Sequence, residues 1–341
     1  MRATPGQTQL SVIIPTHNRA ELLGFSLQSL VKQSLPKSGY EVIVVDDGSS
    51  DGTADVCQRL ANDLPLRYYR LRHSGISSAK NLGIFTAAGS ILFFFDDDDV
   101  AHEDLLLLHW ESHQEHPEEN TAILGYTTWE PSLPVTEVMH YVTEVGQFLF
   151  AYRNLRTGQE LDFTYFWGGR TSCKRSFLVK NGIFRQEFHF GSEDIELGFR
   201  LARFGLKIIY NSGAVQYMNR ALTYEDYCNR CEKQGKSQMQ FSRLHSDSIV
   251  HEWCQTTDAL ARWGQISRDL PSKVAWVHAI EAMLKECVDP TERQVLLGKL
   301  HQLYKWTFDA FKLKGIAEAM AGHQRPAAAA SPDVIASPEL A

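Results

Sequence analysis

The sequence lacks the features that mark membrane-spanning and nucleic-acid-binding proteins. No apolar run reaches the length of a transmembrane helix. The 34 Lys and Arg are outnumbered by 41 Asp and Glu, and a net charge of −7 argues against a broad basic surface for nucleic acid. The first nine residues show no signal-peptide pattern. We therefore expect a soluble, cytoplasmic protein without a nucleic-acid partner, and a peripheral contact with the inner face of a membrane stays open.

Cysteine is scarce and scattered along the chain. Six cysteines in 341 residues do not form the dense pattern of a disulfide-stabilised domain. Cys228 and Cys231 form a C-x-x-C pair, but no further ligands stand at a known zinc spacing. We expect both side chains to be reduced and buried in a helical core.

A glycine-rich dinucleotide fingerprint, G-x-G-x-x-G, is also missing after the first predicted strand. Strands and helices nevertheless alternate over the first 130 residues. The predicted strands cover residues 10–14, 40–45, 66–71, 91–95 and 122–128. Such alternation implies an α/β fold with a mostly parallel, Rossmann-like sheet flanked by helices.

The remainder of the chain differs in pattern. Residues 131–163 are predicted to form a long loop with some local helix, and residues 207–210 an edge strand. From Thr223 onward, apolar stripes at helical spacing predict helices alone. The predicted organisation is a flexible N-terminus at 1–9, an α/β domain at 10–222, a helical extension at 223–322, and a disordered, Ala- and Pro-rich tail at 323–341.

Four consecutive aspartates, Asp96 to Asp99, directly follow the apolar run 91–95. Carboxylates this close raise each other's pKa, and the usual remedy is a hard cation such as Mg²⁺ or Mn²⁺. Open α/β sheets bind ligands just beyond the carboxyl ends of their strands. The run therefore predicts a metal-assisted site for an anionic ligand such as a phosphate; the alternative is an acidic, solvated loop.

Two earlier strand ends carry residues suited to a nucleotide base. Asp47 follows the strand 40–45, and a carboxylate there can accept the imide N–H of a uracil or the amino group of another base. Asp47 also lies in a segment typical of a tight turn. His17, just after the first strand, offers a flat face for stacking. Arg19 is either a phosphate contact or a solvated residue at the start of a helix.

Two predicted helix starts carry residues that can serve catalysis. Lys80 lies one turn inside a helix whose free N–H groups can meet a diphosphate, although an ordinary capped helix explains the segment as well. Glu193 and Asp194 open a later helix, where acidic residues stabilise the helix dipole. A carboxylate in that position can also act as a general base for a hydroxyl nucleophile.

Five segments, taken in this order, resemble the motifs of family 2 glycosyltransferases. They read Ser-Val-Ile-Ile-Pro-Thr-His-Asn-Arg, Val-Val-Asp-Asp-Gly-Ser, Gly-Ile-Ser-Ser-Ala-Lys-Asn-Leu-Gly, Phe-Phe-Asp-Asp-Asp-Asp and Glu-Asp-Ile-Glu-Leu-Gly-Phe-Arg-Leu. The resemblance covers about residues 10–240. It implies the GT-A fold, inverting transfer of a sugar from a nucleotide-sugar donor, and a divalent cation, Mn²⁺ or Mg²⁺. A UDP-hexose or UDP-hexosamine is the expected donor, and a hydroxyl of a glycan, lipid or small molecule the expected acceptor.

The resemblance also assigns roles to individual residues. Asp194 is implied to be the catalytic base and Asp98 the metal ligand of the D-x-D signature. The implied donor-binding residues are Pro15, Thr16, His17, Arg19, Asp47, Lys80, Asp96, Asp97 and Asp98, with Asp96 or Asp97 facing the ribose. The implied lining of the sugar and acceptor site is Trp167, Gly168, Gly169 and Glu193.

One position departs from the family pattern. Met218 stands where many members carry a histidine that binds the metal, and a thioether is a poor ligand for a hard cation. This departure keeps a second hypothesis open, a nucleotide-sugar-binding protein with weakened catalysis. A nucleotidyltransferase is a third, although it would call for a Gly-rich basic loop after the first strand.

Overall fold

The computed structural model describes residues 8–188 and 190–324. Its nine strands belong to one sheet. They are β1 (Leu10–Thr16), β2 (Tyr40–Asp46), β3 (Leu66–Arg70), β4 (Ile91–Phe94), β5 (Asp99–Ala101), β6 (Thr121–Trp129), β7 (Glu160–Leu161), β8 (Thr171–Lys174) and β9 (Lys207–Met218). Residues 1–7 of the predicted flexible N-terminus and residues 325–341 of the predicted tail lie outside the described residues.

The sheet runs in the order β3-β2-β1-β4-β8-β6-β9-β5, and β7 pairs with β9. The first four strands are parallel, as the alternation predicts. Beyond β4 the pairing is mixed, since β8 runs antiparallel to both of its neighbours and β6 runs parallel to β9. A strand begins at Lys207 as predicted, but it does not lie at the edge. This strand, β9, is twelve residues long and lies inside the sheet, and its pairing with β6 shifts register between Leu124 and Tyr126.

Twelve α-helices accompany the strands in the described part of the chain. In the α/β region they are α1 (Ala20–Val31), α2 (Thr53–Leu60), α3 (Ile76–Thr86), α4 (Leu105–Glu115), α5 (Glu137–His140), α6 (Arg175–Asn181) and α7 (Glu193–Ala202). The C-terminal part contains α8 (Tyr224–Leu244), α9 (Ser248–Cys254), α10 (Ala259–Ile266), α11 (Leu270–Glu286) and α12 (Pro290–Gln324). Residues 323 and 324, placed in the tail by the sequence prediction, still belong to α12.

The apolar run at 91–95 is buried on both faces, as predicted for a central strand. Phe93 and Phe95 pack into the core on one side of the sheet, while Leu92 and Phe94 pack into the core on the other. Helix α3 crosses very close to β1 at Gly83, where an added Cβ would overlap the side chain of Ile13. Because β1, β2 and β4 are parallel, their carboxyl ends share one edge, and the aspartate run lies on it.

The helical extension begins where the sequence predicts it. Thr223 caps α8 through a reciprocal capping box with Asp226. Its helices are not an independent layer, because Met218 of β9 and Trp129 of β6 share an apolar core with Phe308 of α12. Cys228 and Cys231 are buried in that same core, as expected. Within the described ranges, every helix is too short or too polar to cross a lipid bilayer.

Candidate active site

A cavity of about 410 Å³ opens at the carboxyl ends of β1, β2 and β4. It brings together residues that lie up to 215 positions apart in the chain, from Pro15 to Arg230. The residues predicted for the site that line it are Pro15, Thr16, His17, Arg19, Asp47, Lys80, Asp96, Asp97, Asp98, Gly168, Gly169, Glu193 and Asp194.

Trp167 is the exception among the predicted site residues. Its indole N–H donates to the carbonyl oxygen of Thr164 at 2.8 Å, and its ring packs against Phe150, Tyr152 and Tyr165. The ring is held in this aromatic cluster behind the cavity wall. The prediction that Trp167 lines the sugar or acceptor site is therefore corrected: its neighbours Gly168 and Gly169 form the wall instead.

The negative charges of the four aspartates are balanced by ion pairs with arginines. The carboxylate of Asp97 accepts from the Thr16 hydroxyl at 2.7 Å and from Arg19 at 2.8 Å. The Oδ2 atom of Asp98 lies 2.9 Å from Nε of Arg220 and 3.3 Å from Arg19. Burial raises the pKa of Asp97 to about 6, with Arg19 opposing and the nearby charge of Asp98 adding to the rise. Asp97 thus faces Thr16 and Arg19 rather than standing free for a ribose.

Arg170 holds the other two aspartates. Its terminal nitrogen lies 3.3 Å from Asp96 and 3.4 Å from Asp99, and its guanidinium stacks 4.5 Å above the ring of Phe150. Asp99 is fully buried at the start of β5, and it also accepts a hydrogen bond from Gln216. Burial raises the pKa of Asp99 well above its ordinary value, against the opposing charge of Arg170. The first and the last aspartate of the run are therefore both held by Arg170.

The described side chains of the cavity do not form a complete binding site for a metal ion on their own. No three His, Cys, Asp or Glu side chains in the described ranges converge on a point where a metal could bind. Met218 is buried in the core that β9 shares with the helical extension. Asp96 and Asp98 of the D-x-D pattern both line the cavity, and Mg²⁺ is often held by one or two carboxylates together with substrate phosphates and waters. The residues therefore fit a cation that is shared with a bound diphosphate, not one held by the protein alone.

At the opposite end of the cavity, Asp47 holds a loop. Its carboxylate accepts from the backbone N–H groups of Ser74 and Gly75, at 2.5 and 2.9 Å. The ring nitrogens Nδ1 of His17 and His73 lie 3.0 and 3.2 Å from the carbonyl oxygen of Asp47. The two imidazole rings are 4.5 Å apart and tilted by 37°. This end therefore offers flat rings and a partly occupied carboxylate to a planar ligand.

Lys80 links the wall of the cavity to the start of α7. It is almost fully buried, and its ammonium donates to Oε1 of Glu193 at 3.0 Å. The other oxygen of Glu193, Oε2, has no hydrogen-bond partner among the described residues. Gly168 leaves room for this pair, because an added Cβ would lie 2.7 Å from Nζ of Lys80.

Asp194 is positioned by backbone donors. Its Oδ2 accepts from the N–H of Gly168 at 2.9 Å, and its Oδ1 accepts from the N–H of Ile195 at 2.8 Å. Burial raises the pKa of Asp194 to about 6; the adjacent Glu193 adds to the rise and Lys80 opposes it. A carboxylate with this pKa is ionised at neutral pH and can still take up a proton, as a general base must.

Several residues of the cavity were missed by sequence reasoning. They are His73, Phe150, Arg170, Phe190 and Arg220. Arg170 follows the Trp167-Gly168-Gly169 segment directly, and Arg220 stands two residues after Met218. Both lay beside segments that the sequence singled out. What the sequence could not supply is the partner of each arginine, since the aspartates that they contact are 71 and 122 residues away.

Comparison with known sequences places the chain among glycosyltransferases. Residues 11–178 match the family described as glycosyl transferase family 2. The uncharacterized glycosyltransferase YfnE of Bacillus subtilis is 30% identical over 58% of this chain and 61% of its own length. The hyaluronan synthase of Pasteurella multocida is 28% identical over 58% of this chain and 23% of its own. A validoxylamine A glucosyltransferase of Streptomyces hygroscopicus is 30% identical over 59% of this chain and 54% of its own length. The chain thus spans less than two thirds of each of these relatives.

Solved structures support the fold. S. aureus TarS 1-349 in complex with UDP covers 93% of this chain and 91% of that chain at 20% identity, with a TM-score of 0.55. The match to the mannosyltransferase PcManGT from Pyrobaculum calidifontis, in complex with GDP-Man and Mn²⁺, covers 93% of this chain and 86% of that chain. The two are 20% identical, and the TM-score is 0.59. The predicted GT-A fold with a helical C-terminal region is confirmed. The matched residues run from β1 through the aspartate run to α6, and this part of the chain, about half of its length, belongs to glycosyl transferase family 2.

Proposed function

We propose that the protein is an inverting glycosyltransferase, which moves a sugar from a nucleotide-sugar donor to a hydroxyl of a glycan, lipid or small-molecule acceptor. The observation that carries the proposal is the position of Asp194, a carboxylate with a pKa of about 6 on the same cavity as the aspartate run. Donors with uracil are favoured because Asp47, His17 and His73 form a flat, acidic end. We therefore propose a UDP-hexose or UDP-hexosamine as donor.

In the proposed reaction, Asp194 takes the proton of the acceptor hydroxyl as its oxygen attacks the anomeric carbon of the donor. The bond from that carbon to the diphosphate breaks on the opposite face, so the configuration at the carbon inverts. The backbone N–H of Gly168 fixes the carboxylate in position. Arg19 and Arg220, which lie against Asp98, face the negative charge that builds up on the leaving diphosphate.

The proposal includes a divalent cation, Mn²⁺ or Mg²⁺, with Asp98 as its protein ligand. When bound, such a cation neutralises part of the charge on the leaving diphosphate. Asp98 already contacts Arg19 and Arg220 through Oδ2, so cation and arginines act on the same carboxylate.

A panel of nucleotide sugars tests the proposed function. Thermal unfolding is followed with each candidate donor, with and without Mn²⁺ or Mg²⁺, and donor hydrolysis is measured in parallel. A ligand at 100 times its Kd should stabilise the fold by about 2.7 kcal/mol. Stabilisation without any hydrolysis or transfer would favour a nucleotide-sugar-binding protein, the hypothesis that Met218 keeps open. No stabilisation by any donor would count against both.

The pH dependence of transfer should follow Asp194. The raised pKa means that the carboxyl group is protonated below about pH 6 and cannot accept the proton of the acceptor. We expect kcat/KM to be flat above pH 7 and to fall by about tenfold per pH unit well below pH 6. The profile is measured with saturating cation and a fixed acceptor. A rate that holds level down to pH 4.5 would contradict the assignment.

Replacing Asp98 by alanine should remove the effect of Mn²⁺ on donor affinity. The cation would lose its protein ligand, and Arg220 would lose its carboxylate partner and be free to contact the diphosphate directly. We expect the Kd for UDP to become equal with Mn²⁺ and with a chelator, as measured by isothermal titration. Asp55→Ala, an exposed change on α2, is the control. A Mn²⁺ effect that survives in Asp98→Ala would place the cation elsewhere.

A further inference from the structure

Two basic side chains of α8, one of which lines the cavity, lie beside an exposed aromatic ring. The guanidinium carbon of Arg230 and the ammonium of Lys233 each lie 5.5 Å from the centre of the Phe190 ring. Phe190 is 37% exposed, although a large apolar side chain is usually buried. Arg230 and Phe190 both line the cavity, and Lys233 lies one helical turn beyond Arg230 on α8. We call these three side chains the Phe190 cluster.

Among the described residues, the two basic residues of the Phe190 cluster lack the acidic partners that the other basic residues of the site have. Arg19, Arg170 and Arg220 each lie within 3.4 Å of an aspartate, and Lys80 donates to Glu193. Across residues 8–188 and 190–324, by contrast, neither Arg230 nor Lys233 has a carboxylate within 4.0 Å. Two uncompensated positive charges on one helix turn are attractive to an anion from outside the chain.

The cluster belongs to the side of the cavity that holds the catalytic base. Phe190 and Gly191 lie just before α7, whose second residue is Asp194. Ser237, further along α8 than Lys233, donates a hydrogen bond to the carbonyl oxygen of Gly191, and this bond ties α8 to the segment before α7. The arginines that hold the aspartate run are at the diphosphate end of the site. The cluster therefore adjoins the place where the acceptor hydroxyl must meet Asp194.

We propose that the acceptor carries an anionic group, a phosphate or a carboxylate, close to the hydroxyl that receives the sugar. Arg230 and Lys233 bind that group, and Phe190 packs against the apolar face of the adjoining sugar or polyol. The inference rests on the proposed function and adds the chemical class of the acceptor. It also explains why a large apolar ring stays exposed beside two cations.

Binding of three matched probes, which requires no turnover, tests the inference. Isothermal titrations with saturating UDP and Mn²⁺ compare glucose, glucose 6-phosphate and glucuronate. We expect at least one anionic probe to bind at least tenfold more tightly than glucose; phosphate and carboxylate acceptors are distinguished by which probe does so. In Arg230→Gln/Lys233→Gln, this advantage should fall by about tenfold. Lys285→Gln, an exposed lysine on α11, is the control for net charge and should keep it.

The outcomes separate the two proposals. If UDP itself does not bind, the proposed function fails before the acceptor is reached. If UDP binds and glucose binds as tightly as both anionic probes, the inference is overturned. It is also overturned if the double variant keeps the full anionic advantage, or if it instead weakens UDP tenfold, which would assign the two cations to the donor diphosphate.

Discussion

Asp194→Asn should lower the rate of sugar transfer by about 10²–10⁴-fold, the usual contribution of a general base. An amide oxygen can still accept from the N–H of Gly168, whereas the bond that the other carboxylate oxygen accepts from the N–H of Ile195 is lost. It cannot take up the proton of the acceptor hydroxyl. The Kd for the donor nucleotide should change little, because the base acts on the acceptor. Single-turnover transfer and UDP titration on the same preparation measure the two effects.

The control for this experiment is Asp104→Asn, a carboxylate at the start of α4 that does not line the cavity. It should transfer sugar at the rate of the unmodified protein. Asp194→Asn with a rate within threefold of that control would show that another group takes the proton. A loss of UDP binding in parallel with activity would instead indicate a damaged site.

Arg170→Met should lower the free energy of unfolding by about 3–5 kcal/mol, the usual effect of removing one partner of a buried ion pair. The side chain of Arg170 is only 12% exposed and faces Asp96 and Asp99, of which Asp99 is fully buried. Methionine fills much of the same space above Phe150 but leaves the carboxylate of Asp99 without its cation. Urea denaturation, followed by circular dichroism, measures the loss.

The double variant Arg170→Met/Asp99→Asn separates charge from packing. If the unpaired carboxylate causes the loss, removing its charge should restore part of the stability, and the coupling energy of the cycle should be well above zero. Arg170→Lys keeps a positive charge but not the forked geometry of the guanidinium. Its free energy of unfolding should therefore lie between those of the unmodified protein and Arg170→Met. A double variant less stable than Arg170→Met alone would mean that Arg170 acts mainly through its contact with Phe150.

Sequence reasoning succeeded where the signal is local. The strands β1 to β4 follow from short segments rich in apolar and aromatic residues. Acids close two of them, at Asp47 after β2 and at Asp96 after β4, and parallel pairing then brings those ends together. The expectation that the aspartate run needs a hard cation was incomplete, because Arg19, Arg170 and Arg220 come from distant segments. Long-range pairing of this kind leaves no periodic trace in the sequence.

Two other differences have physical causes that only packing reveals. The strand β9 is longer than predicted because its irregular stretch opposite β6 interrupts the alternation without ending the pairing. Trp167 was expected at the sugar, yet its indole N–H is taken by a backbone carbonyl and its ring by three aromatic neighbours. A large aromatic residue next to two glycines has the composition of a binding site, but of these three residues only Gly168 and Gly169 line the cavity.

The core that β9 shares with the helical extension has a consequence for how substrate choice can vary. Met218 is buried among residues of α8, α11 and α12, and two positions later the same chain delivers Arg220 to Asp98. Phe150, also in that core, supports Arg170 from below. A repacking mutation in α11 or α12, more than 70 residues beyond Asp194, is therefore expected to shift Arg170 and Arg220 without altering any residue of the cavity.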